Sequence, residues 1–198
     1  VRYYKDYIDS LSKFLKKIGV NINTVPVLDV LRNNTSKVIG SRSFSNDPKI
    51  VKKLGIICVR QYKKNKLGTV IKHIPGHGCS LEDSHFKTPK VYLKNEVLNK
   101  VDFLPFKGNS SKFAMTAHIL YKQIDKKNVA TLSKKIISKI IRNKIGFKGI
   151  LISDDISMKA LKYNLITNAK KSLSAGCNIV LYCAGNIKDS FKIIKEVP

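Results

Sequence analysis

Three of the chain's four histidines fall between Lys72 and His85, beside two glycines, a proline and acidic residues. Asp83 and His85 stand at i and i+2, so in extended backbone their side chains point the same way. The carboxylate can then orient the imidazole, fix its tautomer and support its charged form, which equips a histidine for proton transfer. A second acidic site is Ser153-Asp154-Asp155, at the end of the apolar run Gly149-Ile150-Leu151-Ile152. Neighbouring strand residues face opposite sides, so one of the two aspartates faces a substrate, while Asp155 also suits the cap of a following helix. His73 and His77 are four apart, like a zinc pair on a helix, but Pro75, Gly76 and Gly78 forbid a helix there. Cys58, Cys79, Cys177 and Cys183 show no metal spacing, and neither a metal nor a cofactor is expected. A Gly-x-Ser-x-Gly elbow, a dinucleotide fingerprint and a Walker loop are all missing from the sequence.

These residues need elements to position them. Residues 1–18 carry apolar side chains at helical spacing (Tyr4, Ile8, Leu11, Leu15, Ile18), and Gly19 ends that helix. Asn21–Val30 reads as a strand with Asp29 at its exit, where a carboxylate can bond loop amides or a substrate, the structural role being favoured. Residues 31–46 form a polar loop holding Arg42, and Asp47-Pro48 caps and starts a helix running to about Asn65. Gly68-Thr69-Val70-Ile71 is a buried strand that Pro75 and Gly76 end. A helical segment is predicted within Pro89–Gly108, a strand over Phe113–His118 and an amphipathic helix over 131–145. The strand Ile150–Ser153 is followed by a helix from about Ser157 to Ala175, a last strand Asn178–Cys183 and a helix over 186–197. Met115 and His118 could line a site floor or pack in the core.

Five strands alternating with helices predict an α/β fold with a parallel sheet. Asp29, Lys72, His73, Asp83, His85, His118 and Asp154 all lie at or just after strand exits, the pattern of a (β/α)8 barrel rather than an open doubly wound sheet. Its 198 residues suffice for a substantial core, and no apolar run is long enough to span a membrane. The net charge of +25 raises a lysine-rich nucleic-acid-binding domain as an alternative. Only five of the 38 basic residues are arginine, however, and the lysines are spread along the whole chain, which fits a solvated surface and no specific nucleic-acid partner. Cysteines in or beside apolar runs fit small core residues in a reduced compartment.

Lys72-His73-Ile74-Pro75-Gly76-His77-Gly78, followed by Asp83-Ser84-His85, resembles the signature of glycoside hydrolase family 3 β-N-acetylhexosaminidases. Pro26-Val27-Leu28-Asp29-Val30, Gly40-Ser41-Arg42-Ser43-Phe44 and Ser153-Asp154-Asp155-Ile156-Ser157-Met158 resemble further elements of that family. The resemblance implies a TIM-type barrel and a retaining β-N-acetylglucosaminidase of cytoplasmic peptidoglycan recycling. It implies that Asp154 is the nucleophile, that Asp83 and His85 form an acid/base dyad, and that Arg42, Lys72 and His73 bind the sugar. Without the resemblance, Arg42 is equally a surface arginine, Lys72 a salt-bridge lysine and His73 a satisfied buried histidine. The implied partner is a carbohydrate, an N-acetylglucosaminyl muropeptide, taken by a monomer. A family 3 phosphorylase and a β-glucosidase-like hydrolase are the alternatives within the family. The resemblance covers the later part of the family domain, from before its fourth strand through its eighth. Residues 1–198 are therefore expected to be the C-terminal larger part of one barrel domain, about five of eight βα units, and Val1 at the start fits a piece of a longer protein.

Overall fold

The structure, a computed structural model, describes residues 1–33, 35, 38–80 and 87–197. Helix α1 (Arg2–Lys17) buries Ile8 against Cys58 and Tyr62 and ends at Gly19, whose φ of +83° a side chain would strain. Helix α2 (Pro48–Lys64) starts as its sequence dictates: the Asp47 carboxylate accepts from Lys49 N at 2.7 Å, and Pro48 occupies the first turn.

Five strands form one parallel sheet: β1 (Ile22–Asn23), β2 (Gly68–Ile74), β4 (Phe113–Thr116), β6 (Ile150–Asp155) and β7 (Ile179–Leu181). Their spatial order is their chain order. A doubly wound sheet reverses direction at a switch point, and this one does not, so it forms the wall of a half-barrel with every strand exit on the same rim. Ile22 pairs with Gly68, Val70 with Phe113, Phe113 with Ile150 and Ile152 with Ile179. Behind the sheet, Leu28, Ile71, Ala114 and Leu151 pack with Val51 and Val59 of α2 and with Ile136, Ile137, Ile140 and Ile141 into one core. Each large apolar side chain buried there contributes about 1.5–3 kcal/mol.

Several elements depart from the sequence reading. The strand expected over Asn21–Val30 holds only Ile22–Asn23 and a separate bridge at Val27, because Pro26 has no N–H to give the ladder. Between Pro89 and Gly108 lie strand β3 (Lys90–Val91), helix α3 (Asn95–Lys100) and a 3₁₀ turn around Pro105. Strand β3 pairs in parallel with β5 (Leu120–Tyr121), a small second sheet that the sequence reading lacks. The helix expected over 131–145 is π-wound over Ile136–Lys144, after a 3₁₀ turn at Ala130–Leu132. The helix expected from Ser157 starts at Leu165 as α4 (Leu165–Ala175), where the Asn164 side chain caps it by accepting from Thr167 N at 2.9 Å. Helix α5 (Ile187–Glu196) is the last element, capped by Asn186. No helix among the described residues is long and apolar enough to cross a membrane.

Candidate active site

Asp29 leaves the β1 segment fully buried and takes up the ends of the next strand. Its carboxylate accepts from His77 N at 2.6 Å, from His73 N at 3.3 Å and from the His73 ring, Nδ1 to Oδ2, at 2.7 Å. The structural alternative for Asp29, binding loop amides, is the one observed. Burial opposes its charge, but the His73 ring and His77 more than offset this and hold the carboxyl below its usual range. His77 is buried beside it, and burial pushes its pKa down to about 4 against the opposing pull of Asp29.

Above this pair lies a cleft of about 380 Å³ at the rim of the strand exits. Arg42, Lys72, His73 and Asp154 all line it, so four of the six sequence-predicted site residues come together. The other two, Asp83 and His85, lie outside the described residues. Arg42 is held by its own loop: Nε donates to the Val38 carbonyl at 2.9 Å, and a second guanidinium nitrogen reaches the same oxygen. Lys72 Nζ reaches Thr24 Oγ1 at 3.4 Å. Burial lowers the Lys72 pKa, the Arg42 charge lowers it further, and Asp154 and Asp29 pull the other way. Among the described residues no group of histidine, cysteine or acidic side chains is placed to hold a metal ion.

The two adjacent acids have different surroundings. Asp155 closes a turn: its carboxylate accepts from Ser157 N at 3.0 Å, Ser157 Oγ at 2.7 Å and Cys183 N at 3.1 Å. It thus anchors the exit of β6 to the exit of β7 and does not cap α4, which begins ten residues later. Asp154 lines the cleft, and its Oδ1 accepts from Asp155 N at 2.8 Å. Met115 also lines the cleft, whereas His118 is fully buried outside it, with both ring nitrogens bonded inside the fold.

The sequence reading did not place His77, Thr24, Met158, Leu181 or Cys183 on this cleft. Met158 stands in the motif after β6 and Cys183 at the exit of the last strand, so strand-exit position was the usable signal. Among the described residues the cleft offers the cations of Arg42 and Lys72 and the imidazoles of His73 and His77 for hydroxyl or carboxylate groups, an apolar wall and one carboxylate, Asp154.

A model of the glycosyl hydrolase family 3 N terminal domain matches residues 4–197. A β-hexosaminidase of Nitrosomonas eutropha is 37% identical over 178 residues, which cover 87% of this chain and 51% of that protein. One from Neisseria meningitidis serogroup A is 34% identical over 193 residues, covering 92% of this chain and 53% of its own. Among solved structures, native NagZ from Neisseria gonorrhoeae superposes with a TM-score of 0.85 at 31% identity, over 98% of this chain and 55% of that one. The β-N-acetylglucosaminidase from Thermotoga maritima gives 0.84 at 32%, over 99% of this chain and 43% of that one. A further relative, β-hexosaminidase A of Pseudoalteromonas piscicida, is covered over 33% of its length, so the chain spans between a third and about half of these curated relatives.

Proposed function

Because the chain belongs to the glycosyl hydrolase family 3 N terminal domain family, we propose that it carries the catalytic rim of a retaining β-N-acetylglucosaminidase. The observation that carries the reading is the single cleft in which Arg42, Lys72, His73 and Asp154 meet while Asp155 is committed to backbone and Ser157. Arg42, Lys72 and His73 bind the terminal sugar, its hydroxyls taking the donors that the cleft presents. The Asp154 carboxylate attacks the anomeric carbon as the bond to the leaving oxygen breaks, forming a glycosyl-enzyme. His85, oriented by Asp83, protonates the leaving oxygen and then takes the proton of the water that releases the sugar. Most glycosidases use two carboxylates for this pair of tasks. A histidine, with an ordinary pKa near 6.5, holds its proton near neutrality more readily than a carboxylic acid does. The substrate we propose is β-linked N-acetylglucosamine at the end of a muropeptide, cleaved by a monomer during peptidoglycan recycling in the cytoplasm. The names of the relatives support the sugar, and four cysteines that are all unpaired support a reducing compartment.

A slow-turnover 5-fluoro N-acetylglucosaminide tests the nucleophile. Peptide mapping is expected to find the trapped sugar on Asp154, and Asp154→Ala is expected to abolish turnover. Asp155→Asn should instead cost stability, about 1.5–3 kcal/mol for the lost hydrogen bond from Ser157 Oγ to a charged acceptor. A label on Asp155 would end this assignment. His85→Ala should slow substrates with poor leaving groups far more than activated phenyl glycosides, which depart without a proton; equal losses on both would remove His85 from the acid role.

A further inference from the structure

Of the three described histidines, His73 and His77 line the cleft, and His118 is fully buried behind it. Its ring carries a direction. Nε2 lies 2.9 Å from the carbonyl oxygen of Asp155, and a carbonyl only accepts, so the ring proton is on Nε2. In the neutral ring Nδ1 is then an acceptor, and its partner is Thr131 Oγ1 at 2.7 Å. The Thr131 hydroxyl has one proton, and giving it to Nδ1 leaves Thr131 to accept from Thr116 Oγ1, also at 2.7 Å. Thr116 Oγ1 in turn accepts from Asp154 N at 3.3 Å. The competing acceptor for the Thr131 proton, the Ala117 carbonyl, is farther off at 3.2 Å. Burial keeps His118 neutral by lowering its pKa, although Asp154 and the carbonyl and carboxylate of Asp155 pull upward while His73 adds to the depression.

We infer that His118, with Thr116 and Thr131, is a positioning residue for the reaction proposed above. The three side chains form a one-way hydrogen-bond circuit that leaves the backbone at Asp154 N–H and returns to it at Asp155 C=O. The inference rests on Asp154 being the nucleophile. The circuit fixes the two residues whose backbone aims that carboxylate, and Asp155 N–H fixes one carboxylate oxygen directly at 2.8 Å. Attack needs a near-linear approach to the anomeric carbon, and small misplacements of a reacting group cost large factors in rate.

The test is Thr131→Val in the full-length polypeptide, which keeps the side-chain shape and deletes the relay, beside Thr131→Ser, which keeps the hydroxyl. With 4-nitrophenyl β-N-acetylglucosaminide, kcat should fall roughly 10- to 100-fold in Thr131→Val with KM within about twofold, and Thr131→Ser should recover most of the loss. A Thr131→Val enzyme with the kcat of the parent overturns the inference. Independently of turnover, long-range ¹H–¹⁵N spectra of the imidazoles should show His118 as the Nε2–H tautomer at neutral pH, and an Nδ1–H tautomer overturns the circuit. A parent protein that shows this tautomer and cleaves no N-acetylglucosaminide would refute the hydrolase reading and leave the circuit standing.

Discussion

At the scale of the residue, Asp29 and His77 carry an opposition that acid should expose. The folded state keeps His77 unprotonated down to about pH 4, while in the unfolded chain it takes up its proton near 6.5. Between those values the unfolded state binds more protons, so stability is present in full above about pH 6.5 and falls as the pH drops toward 4. The loss from this one group is of the order of 3 kcal/mol. His118, whose pKa burial also lowers, loses stability in the same direction. Asp29 acts further into acid: its carboxyl sits below the usual range, so the stability it contributes disappears only as the pH falls through that lowered value. Urea unfolding at pH 7 and pH 4.5 measures this. The parent should be clearly less stable at pH 4.5, and His77→Gln should show a shallower dependence; parallel pH profiles for the two proteins would sink the assignment. None of these protonation states was readable in the sequence. Asp29 at a strand exit was visible, but its partners come from residues 73 and 77, and only the folded sheet brings those beside it.

At the scale of the element, the loop after β2 is seated by close approach. A Cβ on Gly78 would overlap the Val30 carbonyl, with the Val30 carbonyl carbon and amide nitrogen 2.8 and 2.9 Å away. The loop also takes a hydrogen bond from Thr35 Oγ1 to the Gly78 carbonyl at 2.7 Å, and Arg32 pairs with buried Asp102 beside it. Gly78→Ala must therefore push two backbones apart, at a cost of about 1–3 kcal/mol or more. Gly108, at φ +72° with nothing within 4 Å of a Cβ, is the control, where alanine costs only the left-handed backbone, about 1–2 kcal/mol. Thermal unfolding should rank Gly78→Ala below Gly108→Ala, and turnover should fall only in the former; the reverse order would mean that the loop is not held this way. Strands with a dense apolar run and helices with a cap, such as β6 and α2, were legible because local chemistry decides them. The stretch 157–164 was not, since the Asp155 carboxylate spends its bonds on Ser157 and Cys183, and the latter is distant in sequence. Strands β3 and β5 were missed for a related reason: two-residue strands have no periodicity, and only their mutual pairing defines them.

At the scale of the whole molecule, the +25 charge and the cleft are separate properties. Lysines coat the whole chain, while among the described residues the cleft gathers one arginine, one lysine, two histidines and one aspartate. The half-barrel and its rim were legible because regular strand–helix alternation, with candidate residues at the exits of four of the five expected strands, has few three-dimensional solutions. The strand order also sets a timetable for folding. Ile152 meets Ile179, 27 positions on, whereas Ile22 must find Gly68, 46 positions on. Closing the longer loop costs about 0.5 kcal/mol more in chain entropy, so pairing should begin at the β6–β7 side and spread toward β1. Stopped-flow refolding of Leu151→Ala and Ile71→Ala, both at fully buried positions, should give the larger φ-value at Leu151; a larger value at Ile71 would reverse the order. A ribosome delivers the chain in the opposite sense, so the strands made first wait, with their apolar faces uncovered, for residues 150–181 to emerge, and this span is where chaperone demand should concentrate.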